Sequence, residues 1–186
     1  AGLVTIHLPA NGYQVLQTAV PEVMVSLDAD PDYCTQLPRL DTYSTIAAGP
    51  GLGTSGDTGK MLKHLIQQAS TPMLLDADAL NILADNPTWL AFLPKGTVLT
   101  PHPGEFARLA GKTPNSFDRL EELRAMCIRY SLNIVLKGAY TVVCSPLGNC
   151  YFNPIGNPGM ATGGSGDVLT GIIAALLAQG YNQTEA

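Results

Sequence analysis

Short apolar runs alternate along this chain with longer amphipathic stretches. Apolar runs of this length, rich in Val, Ile and Leu, are typical of β-strands. They lie at Leu3–Leu8, Glu22–Ser26, Thr45–Ala48, Met73–Leu75, Val98–Thr100, Ile134–Leu136 and Thr141–Cys144. The stretches between them have helical periodicity and helix start and stop signals. They predict helices at Gly59–Ala69, Ala79–Asp85, Gly104–Ala110, Phe117–Tyr130 and Ser165–Ala178.

This alternation predicts an α/β fold, with a mostly parallel central sheet and helices on both faces. The turn residues Ser145–Asn149 separate Thr141–Cys144 from Cys150–Phe152, which indicates an antiparallel hairpin at the sheet edge. In such sheets ligands bind at the carboxyl ends of the strands. The residues predicted there are Gly49–Gly53, Asp76, His102, Lys137 and Gly163–Asp167.

Composition narrows the class of protein. The chain has 186 residues, 46% of them hydrophobic and 13% charged, as expected for a single globular domain. Its net charge is −5 and no run of Lys or Arg occurs, so we expect no nucleic-acid binding. The longest apolar run, Val168–Ala178, is shorter than the roughly 18 residues of a membrane span, so we expect no membrane insertion.

The four cysteines do not form a metal-binding or disulfide pattern. They contain no C-x-x-C pair, and no histidine lies at ligand spacing, which disfavours zinc. They lie far apart or six residues apart, and four such cysteines in a chain of this size are typical of free buried thiols in a reducing compartment. The sequence therefore predicts a cytoplasmic protein.

A glycine-rich loop, Asn157–Asp167, runs directly into the last predicted helix. Glycines allow backbone N–H groups to approach a ligand closely, and a helix start adds free donors and a positive dipole end. We therefore predict an anion hole for phosphate or a developing oxyanion at Gly163, Gly164, Ser165 and Gly166. Asp167 would repel an anion, so it is interpreted as the general base for a hydroxyl; a simple helix cap is the alternative.

Two other glycine patterns suggest nucleotide sites. Gly51–Gly56 with Asp76 matches the dinucleotide fingerprint, but at least two strands precede it, whereas a Rossmann dehydrogenase usually has it on the first strand. Gly59-Lys60 resembles the end of a P-loop, but Met61 replaces the Ser or Thr that binds magnesium. We therefore disfavour the first and reject the second.

Taken together, several motifs closely resemble those of the NAD(P)HX dehydratase family, whose fold is ribokinase-like. In the family's order they are Ala48–Gly53, Asp76–Asn81, Thr100–Glu105, Leu136–Thr141 and Asn157–Gly171. The resemblance covers essentially the whole chain. Family members usually extend further on both sides, so we expect one dehydratase domain over residues 1–186, incomplete at both ends, with an epimerase domain possible in the parent chain.

The resemblance implies repair of hydrated nicotinamide cofactors. The family transfers a phosphoryl group to the C6 hydroxyl of NADHX or NADPHX, and loss of phosphate then returns NADH or NADPH. Asp167 would be the catalytic base, and ADP or ATP the co-substrate with Mg²⁺. No dedicated metal cage is visible in the sequence, and the choice between ATP and ADP stays open.

The resemblance also implies binding roles for individual residues. Substrate would be bound by Gly53, His102 and Asp167, and adenine nucleotide by Lys137, Gly138, Ala139, Tyr140, Thr141 and Gly166. Weaker candidates are Gly49, Gly51, Asp76, Asn81, Glu105 and Asn157. Ordinary structural roles are the alternatives, namely turns for the glycines, helix caps for Asp76 and Glu105, and a solvated strand end for Lys137.

Two other functions remain open at this point. A GSGD-type loop also serves small-molecule kinases of the same fold, such as those acting on a thiazole or vitamin alcohol. A piece of a longer protein could instead bind nucleotide without turnover. Unpaired strand edges lead us to expect a homo-oligomer in the intact protein.

Overall fold

The computed structural model describes residues 2–186, and its main feature is a six-stranded sheet. Its strands follow one another in chain order: β3 (Ile46–Ala48), β4 (Met73–Leu75), β5 (Val98–Leu99), β6 (Asn133–Leu136), β7 (Thr141–Cys144) and β8 (Cys150–Asn153). β3 to β6 are parallel, and β7 and β8 pair antiparallel at one edge. The predicted mostly parallel sheet with an antiparallel edge hairpin is confirmed.

A separate small unit precedes this sheet. The strands β1 (Thr5–Leu8) and β2 (Met24–Leu27) pair in parallel, joined by the helix α1 (Tyr13–Ala19). The pattern did not predict α1, because its start has no side-chain cap and none of its residues is buried. Both strands had been predicted, but they form a two-stranded sheet of their own.

The buried carboxylate of Asp28 organises the chain that leaves β2. It accepts hydrogen bonds from the N–H groups of Asp30, Thr35 and Gln36 and from the Thr35 hydroxyl, and it contacts His7. Burial raises the pKa of Asp28, but these hydrogen bonds outweigh it and hold the pKa well below its usual range. The loop they fix carries the chain away from β2 before β3 begins.

The remaining helices lie close to their predicted positions. They are α2 (Gly56–Gln68), α3 (Ala77–Asp85), α4 (Pro103–Ala110), α5 (Ser116–Tyr130) and α6 (Ser165–Ala178). α2 begins earlier than predicted because the Ser55 hydroxyl accepts the Thr58 N–H and caps the helix at that point. Across residues 2–186 no helix has both the length and the apolar composition that crossing a membrane requires.

Helices cover both faces of the six-stranded sheet, as predicted. Successive strand residues point to opposite faces, so Met73 and Leu75 pack into the larger core with α2, α3 and α5. Leu74 points the other way and packs with Val98 and with Ile173 of α6. α6 therefore covers the face of the sheet opposite α2, α3 and α5.

Strand order excludes the Rossmann interpretation of the Gly51–Gly56 pattern. A Rossmann sheet reverses its strand order at the strand that carries the glycine loop. Here β3 to β8 succeed one another without reversal, and β3 is an edge strand of its sheet. The loop after β3 instead places Gly49 against the end of β4.

Gly49 is required by this close approach. Its φ is +136°, and a Cβ there would overlap the carbonyl oxygen of Asp76. Gly51 has a φ of +65°, but the space around its Cβ position is open. A side chain at Gly49 would therefore cause both a backbone clash and the strain of a positive φ. A side chain at Gly51 would cause the strain only.

Gly49→Ala should lower the free energy of unfolding by about 3 kcal/mol or more, because the Asp76 backbone must move. Gly51→Ala, the matched control, should cost only about 1–2 kcal/mol of left-handed strain. Urea unfolding followed by circular dichroism measures both. Equal losses in the two variants would contradict the close approach.

Candidate functional site

A buried carboxylate joins three segments at the carboxyl edge of the sheet. Asp76 follows β4 and is 1% exposed. Its Oδ1 accepts hydrogen bonds from Lys137 Nζ and from the Ala77 N–H, each at 2.9 Å. Its Oδ2 accepts one from Thr170 Oγ1, also at 2.9 Å. Asp76 caps α3, as one interpretation held, and in addition binds β6 and α6 together.

Lys137 lies between this carboxylate and the glycine-rich loop. Its side chain is 22% exposed, and its Nζ is 4.0 Å from Oε2 of Glu105 as well as 2.9 Å from Asp76. A Cβ on Gly166 would lie 3.5 Å from Lys137 Nζ and 3.7 Å from Asp76 Oδ2. The lysine predicted to reach phosphate therefore lies directly beside the predicted anion hole.

His102 and Glu105 form a reciprocal cap at the start of α4. The His102 Nδ1 accepts the N–H groups of Gly104 and Glu105, and Glu105 Oε2 accepts the His102 N–H at 2.8 Å. Because Nδ1 is an acceptor, the neutral ring carries its proton on Nε2. The imidazole is half exposed, and its Nε2 lies 3.4 Å from Oε1 of Glu105.

The glycine-rich loop turns sharply into α6. Gly164 is left-handed, with φ +87°, and Ser165 donates both its N–H and its hydroxyl to the Thr162 carbonyl oxygen. Within residues 2–186 the N–H groups of Gly166 and Asp167 have no hydrogen-bond acceptor. They are the free donors of the first helical turn, where the positive end of the dipole lies.

Asp167 occupies that same turn and is exposed. Its carboxylate has no hydrogen-bond or ion-pair partner in the described part of the chain, unlike the Asp76 and Glu105 carboxylates. Thr170, one helical turn further on, is buried against Asp76. The bond between Thr170 and Asp76 therefore fixes the part of α6 that carries Asp167.

The predicted nucleotide segment borders a cavity of about 460 Å³, a volume ordinary for a small-molecule pocket. Lys137, Gly138, Ala139 and Tyr140 line one side, and Phe117 of α5 lines another. Phe117 is 82% exposed despite its size. Thr141 begins β7 and donates its hydroxyl to the Gly138 carbonyl oxygen, which holds the segment in a turn.

Gly53 and Asn81 meet at a neighbouring carboxylate. The Gly53 N–H donates to Asp78 Oδ2 at 2.9 Å, and Asn81 Nδ2 donates to Asp78 Oδ1. Asn81 Oδ1 in turn accepts from Arg108 Nε of α4. The predicted substrate loop is therefore tied to α3, without direct contact to Lys137.

Asn157 contacts none of these groups. Its side chain caps a short 3-10 helix, Pro158–Met160, by accepting the Gly159 N–H. The loop leading to Gly163 begins there.

Sequence reasoning did not identify several residues of this region. Thr170 is a polar residue in an otherwise apolar helical segment, and that contrast was its only signal. Asp78 stands within the quoted motif Asp76–Asn81 but received no role. Arg108 and Phe117 left no signal, because each is one of many exposed helical residues.

Two other features lie away from this edge. A cavity of about 300 Å³ is lined by Lys63, Trp89 and Phe92, among others, and contains none of the charged groups above. His7, Asp28 and Cys34 are spaced closely enough to ligate a metal ion. The oxygens of Asp28 already accept the hydrogen bonds of its loop, so this cluster has a structural explanation.

Comparisons with known proteins agree on one family. The family model described as NAD(P)H-hydrate dehydratase matches residues 1–186. The bifunctional NAD(P)H-hydrate repair enzyme Nnr of Moorella thermoacetica is 43% identical over 190 residues, which cover 97% of this chain and 36% of that protein. The chain thus spans little more than a third of the length of this relative.

Solved structures agree with the fold. The ADP/ATP-dependent NAD(P)H-hydrate dehydratase of Bacillus subtilis, co-crystallised with ATP and Mg²⁺ and soaked with CoA, superposes with a TM-score of 0.75 at 32% identity. The match covers 95% of this chain and 64% of that one. A ribokinase-like superfamily protein of Enterococcus faecalis gives a TM-score of 0.79 at 29% identity, over 96% of this chain and 62% of that one.

Thr170→Val should lower the free energy of unfolding by about 1–3 kcal/mol, because it removes a donor from the buried Asp76 carboxylate without changing side-chain shape. Thr170→Ser, which keeps the hydroxyl, should lose less. Urea unfolding gives both values. If the Val variant were as stable as the Ser variant, Asp76 would not depend on Thr170.

Proposed function

Because the chain belongs to the NAD(P)H-hydrate dehydratase family, we propose that it removes water from hydrated NADH and NADPH at the expense of ATP or ADP. One observation supports this most strongly. An exposed carboxylate without a partner in the described residues, Asp167, lies in the same helical turn as free N–H donors, and the neighbouring Gly166 in that turn passes close to the Lys137 ammonium. A base next to an anion site suits phosphoryl transfer to a hydroxyl.

In the proposed reaction Asp167 accepts the proton of the C6 hydroxyl as that oxygen attacks the terminal phosphoryl group. The free N–H groups of Gly166 and Asp167, together with Lys137, face the negative charge that develops on the phosphoryl oxygens. These donors are fixed before the reaction, so little reorganisation accompanies it. Breaking of the C6–O bond then releases phosphate and restores the dihydronicotinamide ring.

We place the hydrated nicotinamide between His102 and the Gly53 loop. The His102 ring is half exposed at the sheet edge, and Glu105 holds it on both sides, through the His102 N–H and through Nε2. The Gly53 loop is held at a fixed position by Asp78. Both lie at the carboxyl side of the strands, where ligands bind in open α/β sheets. Gly49 and Gly51 shape the same loop, and Asn81 supports it through Asp78.

We place the adenine nucleotide along Lys137–Thr141, with its base in the cavity that Phe117 lines. The phosphates would then point from Lys137 toward Gly163–Gly166. The Bacillus subtilis dehydratase was co-crystallised with ATP and Mg²⁺, and we extend both to this chain. The carboxylates of Asp76 and Glu105 already face Lys137. A magnesium ion would therefore be bound mainly by the nucleotide phosphates, and it would neutralise their charge.

The wider context is also a proposal. The curated relatives that the chain matches are named as bifunctional repair enzymes and are much longer, which supports an epimerase domain in the parent chain. Exposed apolar residues on α6, Val168 and Ile172, support association between subunits of the intact protein. Reduced thiols and a soluble cofactor substrate support a cytoplasmic location.

Asp167→Asn should reduce the rate of NADH recovery by about 10²- to 10⁴-fold, because the base is lost while the fold is kept. The assay follows dihydronicotinamide absorbance after mixing hydrated NADH, Mg²⁺ and either ATP or ADP. Asp118→Asn is the matched control, since Asp118 is also an exposed first-turn carboxylate, on α5. Its rate should be unchanged.

Full activity of Asp167→Asn would remove that residue from the mechanism. A stable phosphorylated product in place of NADH would identify a small-molecule kinase, because a dehydratase releases its phosphate. Nucleotide binding without turnover by the folded wild-type chain would overturn the proposed activity.

Phe117→Ala should weaken ATP binding by about 5- to 150-fold, because stacking of a base on an aromatic ring contributes about 1–3 kcal/mol. Phe92→Ala is the matched control: Phe92 is also exposed, at 68%, and lines the other cavity. Isothermal titration calorimetry gives both affinities. Equal affinities in the two variants would place the base elsewhere.

A further inference from the structure

Two cysteines face each other across the edge hairpin. Cys144 ends β7, Cys150 begins β8, and the two are register partners. The Ser145 N–H donates to the Asn149 carbonyl oxygen, so that neighbouring pair is hydrogen-bonded. Pair types alternate along an antiparallel ladder, so the two cysteines form a non-hydrogen-bonded pair with Cα atoms about 4.5 Å apart. This spacing lies within the range of about 4.4–6.8 Å that a disulfide spans.

The side chains meet as this register requires. The Sγ atoms of Cys144 and Cys150 are 2.7 Å apart, and both thiols are free. Cys144 is fully buried, while Cys150 is partly exposed and therefore open to a small oxidant. From these positions we propose that the two thiols form a modification site, which hydroperoxides oxidise to an intramolecular disulfide.

The reaction balances in two steps. The Cys150 thiolate attacks a hydroperoxide such as H₂O₂, the O–O bond breaks, and Cys150 sulfenic acid forms with release of hydroxide. The Cys144 sulfur then attacks the Cys150 sulfur, its proton leaves with the departing oxygen as water, and the S–S bond forms. Two thiols are oxidised by two electrons, and the peroxide is reduced.

The surroundings of Cys150 make its oxidation slow at neutral pH. Burial, together with the hydrogen bond to Cys144, raises the pKa of Cys150 to about 12. Arg124 of α5 opposes that rise and Glu121 adds to it. The thiolate is therefore scarce at neutral pH, and the oxidation rate should increase about tenfold per pH unit below that value. Arg124 also holds the turn, because its Nε donates to the Gly148 carbonyl oxygen.

A third thiol, that of Cys127, lies close enough to Cys144 to be an alternative disulfide partner. Cys127 of α5 donates to the Cys144 carbonyl oxygen at 3.5 Å. It is buried, however, and it approaches Cys144 from a helix instead of from the facing strand. The cross-strand geometry therefore favours Cys150 as the partner of Cys144.

The disulfide would lie at the turn end of the hairpin, three register positions from the end that borders the proposed nucleotide site. β7 starts at Thr141, the last residue of the segment along which we place the nucleotide, and β8 leads toward Asn157 and the glycine-rich loop. The site itself rests only on the hairpin and does not depend on the proposed activity.

The test treats the folded wild-type chain with H₂O₂, then denatures it and counts thiols by alkylation and mass spectrometry. We expect loss of two of the four thiols, recovery of both with dithiothreitol, and a cross-linked peptide that joins Cys144 to Cys150. Cys150→Ser should lose no thiol pair. Cys34→Ser, the matched control in the segment after β2, should behave like wild type.

Peptide mapping of the oxidised wild type identifies the linked cysteines even if a variant misfolds. Retention of all four thiols, a link that involves Cys127 or Cys34, or Cys150 trapped as sulfinic acid without a cross-link would each overturn it.

Discussion

The candidate site depends on one buried carboxylate and the groups that compensate its charge. Taking a carboxylate out of water is costly unless it is paired and hydrogen-bonded. Asp76 satisfies this requirement with the ammonium of Lys137, which directly follows β6, and the Thr170 hydroxyl from α6. Its backbone carbonyl oxygen also lies against Gly49, where no side chain fits. Four segments that are distant in sequence therefore meet at Asp76.

This constraint has a direct consequence for the proposed chemistry. Thr170 and Asp167 lie one turn apart on α6, so the bond that buries Thr170 also determines where Asp167 emerges. Gly166 immediately precedes Asp167 and passes close to Lys137 without a side chain to block the approach. A single network thus positions the proposed base, the free N–H donors and the ammonium. An unpaired, exposed Asp167 is what a base for an incoming hydroxyl requires.

Sequence patterns predicted most of the fold because its elements carry local signals. Strands such as Met73–Leu75 are short apolar runs, and α6 follows a glycine-rich loop. α1 lacks a cap and a buried face, so nothing distinguished it. The site was predicted at the sheet edge because strand ends converge there. Its network was not predicted, because the bond between Asp76 and Thr170 spans 94 residues and leaves no local pattern.

The fate of one oxygen atom tests the central claim most directly. Hydrated NADH carrying ¹⁸O in its C6 hydroxyl is incubated with the protein, Mg²⁺ and ATP or ADP, and the released inorganic phosphate is analysed by mass spectrometry. If the hydroxyl attacks the phosphoryl group and then leaves with it, the ¹⁸O appears in phosphate as NADH is recovered. Recovery of NADH with the ¹⁸O in water would contradict phosphoryl transfer to that hydroxyl and the role assigned to Asp167.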